Sequence, residues 1–172
     1  PSDTQVRVTR DFKAPRTLVW QTHVDPKLFQ RWIGGYPGWS MPVCEMDVRT
    51  GGKYRWMWRT DDGSQEFGFF GEYSEVEAPA RMIAAEYYDP GTMGGAMDAS
   101  SPTINQTSFS EKDGITTVVT LLKYVSKEAR DAAIDLRAGQ PWLQTGRHLG
   151  DALTECVSEA FERVGESCHA AP

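Results

Sequence analysis

The chain has 172 residues, 40% of them hydrophobic, and a net charge of −6, so we expect a single soluble domain over 1–172 whose last few residues form a disordered tail. The acidic balance argues against nucleic-acid binding, and no apolar run reaches the ~18 residues that a membrane span needs. The N-terminus does not resemble a signal peptide and the three cysteines share no metal-ligand spacing, so we expect a cytoplasmic protein without a metal or cofactor.

The first elements are a strand and two short helices. Alternating apolar residues over 6–12 predict a strand that ends at Ala14-Pro15. A short helix follows over 16–20. Asp25-Pro26, an N-cap residue followed by proline at the first helical position, begins a second helix that breaks at Gly34-Gly35.

A meander of strands occupies the middle of the chain. Strands are predicted at about 42–49, 53–60, 66–77, 81–89, 103–110 and 115–125, with the clearest hairpin turns at Asp62-Gly63 and Asp113-Gly114. Residues 90–102 contain few large side chains and should form a mobile loop.

Two helices close the chain. Ser126 is the predicted N-cap of the first, whose best helix formers are 129–136 and which ends at Gly139 and Pro141. The last helix is predicted from apolar residues spaced three and four apart, namely Leu149, Leu153, Cys156, Val157, Ala160, Phe161 and Val164. This stripe needs a large apolar surface to lie on.

The stretch CEMDVRTGGKYRW contains two amphipathic strands joined by a glycine turn. The aromatic residues of the second strand, Tyr54, Trp56 and Trp58, share one face, and leaving them in water would forfeit about 10 kcal/mol. They should therefore point inward with Cys44, Met46 and Val48, whereas Lys53, Arg55, Met57 and Arg59 point outward. One helix, only ~10 Å wide, cannot fill the hollow of a seven-stranded sheet. Either large side chains alone or a bound molecule must fill the rest.

Four segments of the chain resemble a known family. The segments FKAPRTLVWQTHVDPKLFQRWIG, CEMDVRTGGKYRW, DDGSQEFGFFGEYSEVEAPARMI and SKEARDAA are similar, in order and spacing, to the bacterial proteins named for the activator of the heat-shock-90 chaperone ATPase. These belong to the SRPBCC superfamily, the START-domain and birch-pollen-allergen group. The extended loop 90–102 and the link 138–148 depart from the common pattern.

The resemblance implies an α+β helix-grip fold, in which a seven-stranded antiparallel sheet wraps around a long C-terminal helix and two short helices lie between strands 1 and 2. It also implies a cavity between sheet and helix that binds a small, largely apolar ligand. The candidate ligand contacts are Trp32, Trp39, Tyr54, Trp56, Trp58, Phe69, Tyr87 and Trp142. A homodimer is left open.

Two other functions are alternatives to ligand binding. An enzyme acting on a hydrophobic substrate in the same cavity would need a titratable group there, and the candidates are Glu86, His23 and His148. We expect His23 to be a partly exposed helix residue, and a buried Glu86 to need a partner such as Arg10. The family name also suggests a chaperone-associated stress-response protein.

Overall fold

Seven antiparallel strands form one curled sheet, and two short helices lie between its first two strands. The structure is a computed structural model that describes residues 2–34, 37–94, 100–139, 154, 155 and 157. The elements in chain order are β1 (Gln5–Phe12), α1 (Arg16–Val24), α2 (Pro26–Ile33), β2 (Trp39–Met46), β3 (Lys53–Thr60), β4 (Glu66–Glu77), β5 (Arg81–Asp89), β6 (Thr103–Lys112), β7 (Ile115–Lys123) and α3 (Lys127–Gly139).

The sheet order is β1-β7-β6-β5-β4-β3-β2, so each strand from β2 to β6 lies beside its successor. Tight turns make this meander, and both predicted hairpins are observed: Gly63 (φ 73°) lies between β3 and β4, and Asp113 (φ 52°) with Gly114 (φ 75°) joins β6 to β7. The left-handed backbone of such turns favours glycine and tolerates aspartate. β1 completes the sheet by pairing with β7, from Gln5 opposite Lys123 to Phe12 opposite Thr116.

The predicted helix starts are confirmed by their caps. The Asp25 carboxylate accepts hydrogen bonds from the backbone N–H groups of Lys27 (2.8 Å) and Leu28 (3.2 Å), directly before α2. The Ser126 hydroxyl accepts from the N–H of Ala129 at 3.1 Å before α3. These two polar side chains satisfy backbone donors that the first helical turn leaves unpaired.

Some element bounds differ from the sequence prediction. β2 begins at Trp39 rather than near 42, and its register against β3 shifts between Ser40 and Val43. α1 extends past Trp20 to Val24 because Thr22 and His23 are buried by tertiary contacts. β7 stops at Lys123 rather than Val125, which is 62% exposed.

The sheet has a concave and a convex face. Alternate side chains of β3 point to these two faces, as predicted. Tyr54 and Trp58 are buried on the concave side, whereas Lys53, Arg55 and Arg59 are exposed. Met57 has the expected convex parity but is only 8% exposed. It lies over Gly68 of β4, opposite it in the register, where the missing side chain leaves room for its sulfur.

The described part of the C-terminal segment places one side chain on the concave face. Residues 154, 155 and 157 are helical, and Val157 is buried in a core cluster with Phe12, Phe109 and Val118. This confirms the α+β helix-grip fold and agrees with the predicted stripe at Val157. The stripe's other members, the link 140–148 and residues 95–99 of the 90–102 loop lie outside the described residues. Within the described residues, every helix is too short or too polar to cross a lipid bilayer.

Candidate functional site

The aromatic end of the concave face is built from rows of side chains that cross neighbouring strands. Trp56 lies opposite Cys44 of β2 and Phe69 of β4, and Phe69 lies opposite Tyr88 of β5. Because residues paired across a sheet share a face, the row forms a continuous apolar surface. α2 covers part of it, with the Phe29 ring centroid 4.6 Å from that of Trp56.

A second row contains the polar centre of this surface. Tyr54, Gly71 and Glu86 are consecutive partners on β3, β4 and β5, and the Tyr54 hydroxyl donates to Glu86 Oε2 at 3.0 Å. The tyrosine reaches across β4 only because residue 71 is glycine. A Cβ there would lie 2.8 Å from the Tyr54 hydroxyl oxygen and 2.9 Å from its Cζ.

The two tyrosines of this centre stay protonated over the physiological pH range. Burial, and then the negative charge of Glu86, raises the pKa of Tyr54 far above its usual value. The Tyr73 ring lies 5.0 Å from that of Tyr54, and burial followed by the Glu86 charge raises its pKa as well. Both hydroxyls therefore keep their proton, and that of Tyr54 is donated to Glu86.

The indole N–H groups of three tryptophans in this region have different surroundings. Trp32 Nε1 donates to the carbonyl of Thr22 at 2.8 Å, and Trp58 Nε1 donates to that of Ile33 at 3.2 Å. Those contacts tie α1, α2 and β3 together. Trp56 Nε1 is buried and has no hydrogen-bond partner within the ranges that the structure describes.

The structure brings together most of the predicted ligand contacts. Trp32, Trp39, Trp56, Trp58 and Phe69 lie in one cluster around the buried Phe29, Met41, Phe67 and Tyr88, and Tyr54 joins it through Trp56, 4.4 Å away between ring centroids. Trp142 lies outside the described residues.

The prediction that Tyr87 is one of the ligand contacts is wrong. It lies on the convex face, where its ring stacks on that of Phe70 at 5.4 Å and 13°, and its neighbour Tyr88 takes the inward position, 3% exposed. In β5, both sets of alternate residues contain a tyrosine and small residues. The sequence therefore does not show which set faces the concave side. The hydrogen bond from Tyr54 to Glu86 determines it, since it requires Glu86 and hence Tyr88 to face the concave side.

The catalytic candidates are also placed by the structure. Glu86 is partly buried on the concave face, and the partner shown for it is Tyr54, on the same row. Arg10, the partner expected from the sequence, lies on β1, separated from β5 by β7 and β6. His148 lies outside the described residues.

His23 is buried rather than partly exposed as expected, at 8%. Its Nδ1–H donates to the Val19 carbonyl at 2.8 Å, and its ring packs edge-on against Phe109 with centroids 4.9 Å apart. Burial lowers the pKa of His23 to about 4, although the bond to Val19 opposes the shift. A neutral imidazole enclosed in this way is a core residue.

Sequence reasoning missed Gly71, Phe29, Phe67 and Tyr88. The signal for Gly71 was present as a glycine inside an aromatic strand, which often marks a close approach of another group. The ring contacts depend on how α2 packs across β3, which no local pattern reveals.

A separate groove of about 300 Å³ lies on the convex face. Its lining residues are Gln5, Arg7, Gln106, Ser108, Val119 and Leu121. Leu122, the neighbour of the lining residue Leu121, is 5% exposed and points to the concave side. The groove therefore lies on the opposite side of the sheet from the aromatic cluster and is not part of the candidate site.

No cluster of three or more histidine, cysteine, aspartate or glutamate residues suited to a metal occurs among the described residues.

Comparisons with known proteins agree with this architecture. The family described as Activator of Hsp90 ATPase homolog 1-like protein matches residues 13–154. No curated protein is significantly similar to the chain.

Solved structures show the same fold. Protein Ms6760 from Mycobacterium smegmatis is 21% identical with a TM-score of 0.72, covering 89% of this chain and 90% of its own. A protein from Rhodobacter sphaeroides is 23% identical with a TM-score of 0.76, covering 92% and 95%. The AHSA1-like protein from Aeromonas hydrophila is 20% identical with a TM-score of 0.63, covering 90% and 94%. At these identities the likeness extends to the fold alone.

Proposed function

The chain belongs to the family of Activator of Hsp90 ATPase homolog 1-like proteins, and on this premise we propose that its concave face binds a small, largely apolar molecule. Proteins of this fold typically bind hydrophobic ligands. The cytoplasmic location and the homodimer stay predictions.

The observation that carries the proposal is the incomplete burial of large aromatic side chains on the concave side. Trp32, Trp39, Trp56 and Phe69 are each only partly buried, although they surround a buried aromatic core. Exposed apolar area of this kind is unfavourable by ~25 cal/mol per Å², and contiguous apolar surface in a concavity is typical of ligand sites. An apolar guest would remove that area from water.

The test compares two aromatic truncations on opposite faces. Nile red, a neutral dye whose emission shifts to the blue in apolar surroundings, is titrated into the wild type, Trp56→Ala and Tyr87→Ala, with melting temperature as the control for folding. We expect the dye to bind the wild type and Tyr87→Ala with similar affinity and Trp56→Ala at least tenfold more weakly. Binding that survives Trp56→Ala but is lost in Tyr87→Ala would place the site on the convex face and refute the proposal.

A further truncation separates binding from core filling. Trp58 is 5% exposed and donates to the Ile33 carbonyl, so Trp58→Ala should lower the free energy of unfolding by about 3–5 kcal/mol. Trp56→Ala should lower it less, because the indole is only partly buried. Equal losses of stability in the two variants would indicate that Trp56 merely fills the core.

A second candidate function is chemistry on the bound molecule, favoured by the hydrogen bond between Tyr54 and Glu86 on the concave face. A positioned carboxylate is a suitable general base. Small-molecule extracts incubated with the wild type and with Glu86→Gln would be compared by mass spectrometry. Compounds consumed only by the wild type would support an enzyme, and identical profiles would argue for binding alone.

A further inference from the structure

The groove on the convex face lies over three strands whose side chains differ in length and polarity. β7 is the middle strand, between β1 and β6, and its Val119 and Leu121 form the floor. The longer side chains of the two flanking strands stand roughly perpendicular to the sheet and form the walls. Because neighbouring strands are about 4.8 Å apart, the walls are about 10 Å apart. This width leaves room for one narrow molecule on an aliphatic floor.

The register of the strands places polar groups on both walls. Arg7 of β1 lies opposite Leu121, and Leu121 lies opposite Gln106 of β6. Gln5 completes the wall of β1, and its amide oxygen accepts from the Ser2 N–H at 3.4 Å, which leaves its NH₂ group as a donor. Guanidinium and side-chain amides all offer N–H donors. Donors on both sides of an apolar floor suit an acceptor that is joined to an apolar body.

Arg7 differs from other arginines of the convex face in its partners. Arg55 is paired with Asp89 at 3.6 Å, and Arg59 is paired with Glu66 at 3.0 Å. The exposed guanidinium of Arg7 makes no ion pair or hydrogen bond within the ranges that the structure describes. A guanidinium presents a planar fork that binds a carboxylate through two parallel N–H bonds. This fork is therefore available to a ligand.

The charge around the groove is positive although the chain as a whole is acidic. Lys123 is half-buried and lies opposite Gln5, so a second cation stands beside the wall of β1. Asp3 and Asp11, the acidic residues nearest to Arg7 along the chain, are each four residues away, which is about 13 Å for Asp11 in the extended strand. At that distance salt screens much of their effect. An anion would meet two cations at this groove.

The acidic residues of β4 do not cancel this charge. Glu75 and Glu77 are both bonded to Arg81, and β5 lies between their strand and β6. Their negative charge is therefore balanced on the far side of the groove's outer wall.

We propose that the convex groove binds a small monoanion made of a carboxylate and a short aliphatic body. Arg7 binds the carboxylate, the amides of Gln5 and Gln106 donate to it from the two walls, and the aliphatic body lies on Val119 and Leu121. The groove volume of about 300 Å³ is at the lower end of the range for small-molecule sites, so the occupant is small. This site is independent of the concave one, because the sheet separates the two faces.

Three probes separate the charge from the apolar body. Hexanoate has both, acetate lacks the aliphatic chain, and 1-hexanol lacks the charge. Each is titrated at pH 7.5 into the ¹⁵N-labelled wild type, Arg7→Gln and Arg10→Gln, and the side-chain amide NMR signals of Gln5 and Gln106 are followed. Arg10 is the matched control, because it lies on the same strand with the opposite parity. Melting temperatures check that the variants fold.

We expect hexanoate to bind the wild type about tenfold more tightly than either acetate or 1-hexanol. Arg7→Gln should weaken hexanoate binding about tenfold and leave 1-hexanol unchanged, whereas Arg10→Gln should behave as the wild type. Raising the salt concentration from about 20 to about 500 mM should weaken hexanoate binding.

Three results would each overturn this inference. The two glutamine signals could fail to shift with hexanoate, hexanoate could bind Arg7→Gln as tightly as the wild type, or acetate could bind as tightly as hexanoate. The first would exclude the groove, the second the role of Arg7 and the third the role of the aliphatic floor. None of them bears on the binding of Nile red to the concave face.

Discussion

Acidification should destabilise the folded protein through one buried histidine. His23 is 8% exposed, its Nδ1–H is bonded to the Val19 carbonyl at 2.8 Å, and its ring packs against Trp32 and Phe109. A proton added to this ring would place a positive charge in an apolar cluster. Protonation is therefore far easier in the unfolded chain.

The size of the effect follows from the two pKa values. Burial lowers the pKa of His23 from 6.5 to about 4, and each tenfold change in proton affinity is worth about 1.4 kcal/mol. The neutral ring therefore contributes about 3 kcal/mol of stability. Because the folded pKa is the lower one, the contribution is complete above about pH 6.5 and is lost as the pH falls from 6.5 towards 4. Between pH 7 and pH 5 the loss is about 2 kcal/mol.

The assay is urea unfolding of the wild type and of His23→Asn at pH 7 and pH 5. Asparagine retains an amide N–H in the position of Nδ1 but does not titrate. The variant should be less stable at pH 7 because it loses the ring contacts, and the gap between the two proteins should narrow by about 2 kcal/mol at pH 5. His148, His169 and the carboxylates are present in both proteins, so their effects cancel. A gap that is the same at both pH values would refute the reasoning, since His23 would then titrate as in the unfolded chain.

Three further predictions concern single contacts. Gly71→Ala should lower the free energy of unfolding by about 1–3 kcal/mol, because the added methyl would clash with the Ala85 carbonyl oxygen of β5 and with the Tyr54 ring; denaturant unfolding measures it, and a neutral result would show that β5 and Tyr54 both have room to move. Asp25→Ala should lose about 1 kcal/mol of stability as the α2 cap is removed, whereas Asp25→Asn, which keeps the acceptor, should lose only a few tenths; equal losses would argue for a charge effect. Burial, with the charge of Asp25, raises the pKa of Cys44 from 9.0 to about 11, so at pH 8 its alkylation by iodoacetamide, followed by peptide mass spectrometry, should be about 100-fold slower than that of a free thiol. A rate near that of a free thiol would contradict the burial of this group.

Much of the architecture could be predicted from local patterns. The Asp25 cap, the Asp113-Gly114 hairpin and the inward face of Tyr54, Trp56 and Trp58 all depend on a few adjacent residues. Caps, turns and strand parity are local properties of the backbone, so the residues that determine them are neighbours in the chain. The family resemblance then supplied the helix-grip fold.

The site depended on contacts between distant residues. Tyr54, Gly71 and Glu86 come from three strands, and the role of the glycine is visible only when the tyrosine is seen to cross it. The partners of the Trp32 and Trp58 N–H groups are helix carbonyls that the sequence does not mark.

The sequence by itself determined which residues form strands, where the chain turns and which side chains of β3 avoid water, because these follow from backbone preferences and from alternation along one strand. Only the tertiary structure decided that β1 pairs with β7, that Tyr88 rather than Tyr87 faces the hollow and that Trp56 keeps an unpaired N–H among the described residues. These features depend on the register between strands and on the packing of α2. The register and the packing of α2 are both determined by how much apolar surface is buried between side chains that are far apart in the chain. That burial cannot be read from any short segment of the sequence.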